Sequence, residues 1–394
     1  MIKPYPHQID LAEQVLAVLR ENGLAYLASE ERTGKTLAAI LAAEASLASN
    51  ILVLTKKKPL DGWISTLAEY PHLKTYYVTN YHQAHKIQQD YDLVILDEAH
   101  NYISGFPKPS TMWSTVRRLC KGKPIIYLSA TPRPQGTQQL FHQFKLSDWS
   151  PWSNYKNFYH WHKVLGIPYT IMVDGNKKNM YDKTKPEAWE QVQHLFITKT
   201  RAALGFEHEP EDKLHYIELS EETKQLYNVL VKDRIVYGLA DEPLVCDTGP
   251  KYRVSLHMIE GGTIKIGKKY IQLPNTEKID YILKTWGDSP DLVIMHNYIE
   301  EANKLAAYFK QAKILQATSY AEGVDLSMYK HLVIYSQDFS TARHTQRRAR
   351  QANKNRKEPI VVHFLLVKKG SSERVYKTVS VNKKNFVDTV FEEL

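Results

Sequence analysis

Cysteine is nearly absent: Cys120 and Cys246 are the only two in 394 residues, and their separation excludes a disulfide framework or a four-cysteine zinc site. No apolar run reaches the roughly 18 residues that a membrane-spanning helix needs. The opening Met1 to Asp10 carries Pro, His and Gln where a signal peptide would have an apolar stretch, so a soluble, cytoplasmic protein with no membrane partner is expected. Negative charge is in deficit. Asp and Glu number 43 against 52 Lys and Arg, a formal charge of +9, which favours a polyanionic partner such as nucleic acid without establishing one. Low-complexity tracts and short repeats are also missing, and 43% of the residues are hydrophobic, enough for two ordinary domains with buried cores.

What is present is an alternation. Ile9, Ala12, Val15, Leu16 and Leu19 follow helical spacing, and a short apolar run over residues 24–28 reads as a buried strand. Further apolar runs at 51–54, 76–78, 93–96 and 125–128 are separated by segments long enough for helices, which implies a parallel sheet. Residues 149–189 break the rhythm: they are dense in aromatics and lysines and are interrupted by Pro151, Gly166, Pro168, Gly175 and Pro186. After a helical stretch at 221–237 and a hairpin at 261–268, strands at 292–295, 314–317, 332–335 and 361–367 predict a second parallel sheet. The tail, 371–394, reads as an amphipathic helix.

The most specific local signal is Ser29-Glu-Glu-Arg-Thr-Gly-Lys-Thr36, which follows a strand and opens an alanine-rich helix. That placement aims backbone N–H groups and the helix dipole at a phosphate. Lys35 would meet the terminal phosphates of ATP, Thr36 would ligate Mg2+, and Ser29 and Gly34 would shape the loop. Arg32 stands where many such loops have a further glycine. Asp97-Glu98-Ala99-His100 ends the apolar run 93–96, so its carboxylates emerge at the C-terminal edge of a parallel strand. Asp97 would hold Mg2+ through its water shell, and Glu98 would orient and deprotonate the attacking water.

With Ser129-Ala-Thr131 following a third strand, the sequence resembles superfamily 2 helicases, and most closely the compact Swi/Snf-type DNA translocases of phages and bacteria. Pro6-His7-Gln8 resembles their adenine-reading glutamine motif, Trp63 after Pro59-Leu60 the segment following motif Ia, Thr79-Asn80-Tyr81 their Thr-Ser-Tyr element, and residues 219–227 their Gln/Leu-Tyr signature. Residues 317–326 are similar to motif V, and Gln346-Arg-Arg-Ala-Arg350 to motif VI.

The resemblance implies an α/β fold of two RecA-like parallel-sheet lobes of P-loop NTPase type. It assigns 1–148 to the ATP-binding lobe, 149–270 to an aromatic-rich insertion and linker, and 271–394 to an abbreviated second lobe. It implies a monomeric, DNA-stimulated ATPase using ATP and Mg2+ to translocate on DNA, in a host's cytoplasm if phage-encoded, with targeting left to a protein partner. Nucleotide contacts pass to Gln8, Gly323, Asp325 and Gln346, coupling to Ser129 and Thr131, and nucleic-acid contacts to Lys56, Lys57, Thr79, Asn80, Tyr81 and Thr318. Arg350 aligns as the arginine finger, with Arg347 as the substitute because Asn353 stands where relatives carry a second arginine. Two other readings remain open: a nucleic-acid clamp with weak ATPase, suggested by Asn353 and the short second lobe, and an RNA helicase, suggested by the Asp-Glu-Ala-His string. Trp149, Trp152, Tyr155, Phe158, Tyr159 and Trp161 read as the core of a small subdomain, with base stacking as the alternative.

Overall fold

The computed structural model describes residues 2–134, 136–173, 176–206, 208–317, 326–352 and 358–381. The chain divides into two compact units, Met1–Gly205 and Phe206–Leu394. The stretch 149–270, read from sequence as insertion and linker, is therefore shared between them. No described helix is long and apolar enough to cross a membrane.

The first unit opens with the helix Pro6–Asn22, which has proline in its first turn and stops at Gly23 in the left-handed conformation, φ 67°. Its buried Leu11, Val15 and Leu19 form one stripe. Five strands follow: β1 Leu24–Leu27, β2 Asn50–Thr55, β3 Thr75–Asn80, β4 Leu93–Asp97 and β5 Ile125–Leu128. They pair in parallel in the order β3-β2-β4-β5-β1. Both faces are buried, as near-continuous apolar runs demand. Tyr26, Leu54, Val94 and Tyr127 face one core, while their chain neighbours Ala25, Val53, Ile95 and Ile126 face the other.

Residues 149–205 pack onto this unit. Trp152, Phe158 and Trp161 are almost fully buried and join Phe141 and Phe144 in the core, with the two indoles 5.0 Å apart and Tyr155 packed against that core, so these four are packing, whereas Trp149 and Tyr159 are exposed. Two strands missed from sequence, β6 Tyr169–Val173 and β7 Asn176–Met180, form an antiparallel hairpin. A further short strand, β8 Phe196–Ile197, returns to pair in parallel with β1 and becomes the sixth strand of the sheet.

The second unit has its own parallel sheet. Strand β9 is Glu211–Ile217, and the short strands β10 Ile235–Val236, β11 Leu244–Val245, β12 Thr263–Ile266 and β13 Lys269–Gln272 form two separate hairpins. Strands β14 Leu292–His296, β15 Lys313–Gln316, β16 His331–Ile334 and β17 Val361–Val367 join β9 in the order β15-β14-β16-β17-β9. All neighbours run parallel, with apolar clusters on both faces, as two RecA-like lobes require. The helices Glu221–Asp233 and Gly249–Glu260 and the β12–β13 hairpin bury a third cluster around Leu230, Leu256 and Ile264. The tail is helical over Ser371–Tyr376 and continues as a wider turn over Lys377–Val381; the rest of the expected tail helix lies outside the described residues.

Burial leaves several histidines averse to charge, three of them strongly. It pushes His100 and His257 down to about 3 and His363 down to about 4, from 6.5. A folded-state value below the unfolded one means that the unfolded chain takes up more protons as the pH falls. The stabilisation is complete above about pH 6.5 and drains away as the pH falls toward these depressed values. The denaturant midpoint should be flat near neutrality and fall steadily below about pH 6.5, and His257→Gln should flatten the decline of the second unit's transition. A midpoint that holds constant down to about pH 4 would contradict this.

Candidate functional site

The first unit's functional edge is built where β1 and β4 end. After β1 the chain turns through residues 28–34 and enters the helix Lys35–Glu44, whose N-cap is Gly34 in the left-handed conformation, φ 79°. Arg32 is also left-handed, φ 66°, so the loop keeps its tight path with a side chain where glycine would be unstrained. Gly34 cannot be replaced without collision, because a Cβ there would lie 2.0 Å from Gln8 Nε2. The amide of Gln8 is thus pressed against the phosphate loop, while its Oε1 accepts the Tyr5 N–H at 2.9 Å. Lys35 folds back on the loop and donates to the Ser29 and Glu30 carbonyls at 2.9 and 2.8 Å.

Sequence reasoning missed the loop's second wall. Residues that follow β8 run beside it: the Lys199 N–H donates to Ser29 Oγ at 3.1 Å, and the Glu30 N–H donates to the Lys199 carbonyl at 3.1 Å. The Arg201 N–H donates to Glu30 Oε2 at 2.7 Å, and its buried guanidinium lies 3.6 Å from Glu31 Oε2. The only sequence signal was the brief apolar pair before Thr198, too short to read as a strand.

Asp97 and Glu98 sit at the end of β4, between β2 and β5. Asp97 Oδ2 accepts hydrogen bonds from Thr55 Oγ1 at 2.7 Å and Trp63 Nε1 at 3.0 Å, which fix its carboxylate plane. The Tyr81 hydroxyl donates to the Asp97 carbonyl at 3.0 Å. This corrects the place given to Tyr81: it is fully buried and stacked on Tyr102, so its ring supports the site and is not offered to nucleic acid. Glu98 turns the chain with φ 53°, and its N–H donates to the Leu128 carbonyl at 2.8 Å.

Ser129 connects this edge to β5. Its hydroxyl is 2.9 Å from His100 Nδ1 and 3.5 Å from Glu98 Oε2, and it accepts the Thr131 N–H at 3.0 Å. His100 Nδ1 is itself 3.4 Å from Glu98 Oε2. Burial, and secondarily the nearby Lys56 ammonium, holds that imidazole neutral at physiological pH. The phosphate loop and the carboxylates form one electrostatic unit: burial lowers the Lys35 pKa, and Glu31, Glu98 and Asp97 act against it.

This donor set fits a nucleoside triphosphate with Mg2+. A lysine, a helix N-terminus and a glycine cradle closed by Gln8 converge on one edge. Glu31 Oε1 and Thr131 Oγ1 are buried there without a hydrogen-bond partner among the described residues, as groups that meet a ligand or its water would be. Thr36 would offer Mg2+ the hard oxygen ligand it prefers, and Asp97 would hold the ion's water shell. Of the predicted nucleic-acid contacts in this unit, Lys57 is exposed, Lys56, Thr79 and Asn80 are half-buried, and Asn80 Oδ1 caps the following turn by accepting the Gln83 N–H at 3.3 Å.

In the second unit, Gln346, Arg347 and Arg350 are all buried. Arg347 donates to Asp338 Oδ2 at 3.2 Å, and Arg343 donates to the same oxygen at 2.8 Å. Burial lowers Arg347 to about 10, with Asp338 opposing it. The adjoining Gln337 Oε1 lies 3.1 Å from His257 Nε2, and His257 Nδ1 lies 2.9 Å from the Tyr298 hydroxyl. Thr318, Gly323, Asp325 and Asn353 lie outside the described residues.

No family model matches the chain. In sequence it is 31% identical over 167 residues to the uncharacterized ATP-dependent helicase YqhH of Bacillus subtilis, across 36% of this chain and 29% of that protein. It is 32% identical over 76 residues to the RNA polymerase-associated protein RapA of Pectobacterium carotovorum, across 19% of this chain and 8% of RapA. The chain thus spans less than a third of the length of these curated relatives. Among solved structures, the Sulfolobus solfataricus SWI2/SNF2 ATPase core in complex with dsDNA aligns over 98% of this chain and 95% of that one at 15% identity, with a TM-score of 0.45. The same organism's SWI2/SNF2 ATPase core domain aligns over 100% and 94% at 14% identity, with a TM-score of 0.43. With its loop, carboxylates and Ser-Ala-Thr element gathered on one sheet edge, the chain is similar, over the stretch matched, to an ATP-dependent helicase.

Proposed function

We propose that this protein is a nucleic-acid-stimulated ATPase that hydrolyses ATP to move along DNA. The observation that carries the reading is the convergence of Lys35 with Asp97 and Glu98 at the carboxyl ends of adjacent parts of one parallel sheet. Lys35 and the loop N–H groups bind the terminal phosphates, and Gln8, seated against Gly34, reads the base. Glu98 accepts the proton of the attacking water during in-line transfer to that water. Thr36 and Asp97 would hold Mg2+, which when bound neutralises charge on the β- and γ-phosphate oxygens.

Ser129, hydrogen-bonded into the Glu98 and His100 cluster, carries the state of that edge toward Thr131 and the chain beyond. Arg350 engages the same nucleotide from the second lobe, so that hydrolysis releases the bridge and the lobes reopen. Lys56, Lys57, Thr79, Asn80 and Thr318 contact the track mainly through phosphates, which makes binding salt-dependent and weakly sequence-specific.

ATP turnover measured alone and with duplex DNA, single-stranded DNA or structured RNA tests the reading. Stimulation by duplex DNA several-fold over the other two is the expected result. Turnover indifferent to every nucleic acid overturns the motor, and stimulation by RNA alone overturns the assignment of DNA.

A further inference from the structure

The β6–β7 hairpin projects from the first unit with nothing in the ATP-site chemistry to explain it. Its pairing is regular, Tyr169 to Met180, Thr170 to Asn179, Ile171 to Lys178 and Met172 to Lys177. Cross-strand partners share a face, so Met172 and Lys177 lie on one side and Ile171 and Lys178 on the other. Met172 is 63% exposed, Ile171 is half-buried and both lysines are exposed, so each face presents its lysine to solvent.

The charge around the hairpin is predominantly positive. Between residues 156 and 185 the sequence places six lysines, at 156, 163, 177, 178, 183 and 185, against two acids, Asp174 and Asp182. All six lysines are exposed. The carboxylate of Asp182 is engaged, since Oδ1 accepts the Tyr169 hydroxyl at 2.7 Å, and Lys183 lies over that same tyrosine ring at 4.4 Å.

The hairpin is mounted on a rigid base. The helix Phe158–Leu165 that precedes it buries Phe158 and Trp161 in the same aromatic core that supports β1 and β5. The strand that leaves it is tied back by an isolated bridge between Gly166 and Thr184, and the Lys185 ammonium donates to the Val164 carbonyl at 2.7 Å. A two-stranded ribbon with about five residues per strand reaches about 17 Å, and the major groove of a B-form duplex admits such a ribbon.

We propose that the β6–β7 hairpin is a duplex grip: the ribbon enters the major groove, and Lys177 and Lys178, one on each face, meet phosphates on its two rims. This inference rests on the motor reading above, because it supplies that motor's first lobe with an anchor separate from the ATP edge. A ribbon whose two faces carry one lysine each suits a groove walled by phosphate on both sides better than a flat acidic protein surface, which would engage one face and leave the other idle.

The test is duplex DNA binding by the full chain, followed by fluorescence anisotropy over a series of salt concentrations, for Lys177→Glu/Lys178→Glu and for the conservative Lys177→Arg/Lys178→Arg. Thermal unfolding establishes that each variant is folded. The glutamate pair should bind roughly 10- to 60-fold more weakly at about 0.1 M salt, with a slope of log affinity against log salt shallower by about two, and the arginine pair should bind like the wild type. Lys232→Glu/Lys284→Glu, at two exposed helix lysines of the second unit, makes the same change of net charge elsewhere and should bind near the wild-type level.

If the glutamate pair keeps the wild-type affinity and slope, or if the control pair loses as much, the grip is overturned and the motor stands. If the wild-type chain itself fails to bind duplex DNA, the motor reading fails and the grip fails with it.

Discussion

Glu98→Gln should reduce ATP turnover by about 10²- to 10⁴-fold while ATP still binds, because the amide keeps the side chain's size but cannot take a proton from water. The backbone gives this substitution unusual value. Glu98 occupies a left-handed conformation and its N–H is held by the Leu128 carbonyl, so the isosteric change leaves the turn as it is. Single-turnover hydrolysis alongside binding of a fluorescent ATP analogue would separate the chemical step from affinity. Turnover within a few-fold of wild type would mean that the water is activated elsewhere. Lys35→Ala should instead abolish both, with thermal unfolding unchanged, since Lys35 is half-buried at a loop and contacts two carbonyls rather than a core.

The arginines of the second lobe should divide into a strut and a finger. Arg350→Ala should lower turnover by about 10²- to 10³-fold, the loss typical of one preorganised donor to a transition-state oxygen. Arg347→Ala should mainly destabilise. Arg347 is 2% exposed and already committed to Asp338, itself 5% exposed, so its removal strands a buried carboxylate. Breaking a buried pair costs about 3–5 kcal/mol, and because Arg343 still donates to the same oxygen, about 2–3 kcal/mol is expected here. Calorimetry and turnover on the two variants decide it. An Arg347→Ala protein with normal stability and no turnover would reverse the assignment.

The first sheet was legible because its strands are buried on both faces and therefore spell apolar runs, and the phosphate loop because a strand and an alanine-rich helix flank Gly34 and Lys35. Strand β9 was not legible. Its Glu211-Asp-Lys-Leu-His-Tyr-Ile217 is a polar edge sequence that becomes a strand only because β17 pairs with it along seven residues. The hairpin β6–β7 was hidden for a related reason: its strand Asn176–Met180 is lysine-rich and exposed, with no core face to impose a period. Trp63 and Tyr81 were visible as motif residues, yet what they do was not, since their hydrogen bonds to Asp97 cross 34 and 16 positions of chain. Arg201 shows the limit most clearly. Nothing near it in sequence announces a phosphate loop that lies 170 residues upstream.

That separation orders events in time. On the ribosome, the five strands from β1 to β5 emerge before the segment 196–201, so until that segment leaves the exit tunnel the nascent lobe lacks its sixth strand and one side of the nucleotide loop is unbraced. Ser29, Glu30 and Glu31 acquire their partners only when Lys199 and Arg201 arrive. A fragment truncated after β5 would lack both the Phe141, Trp152 and Trp161 side of its core and the residues that brace the nucleotide loop.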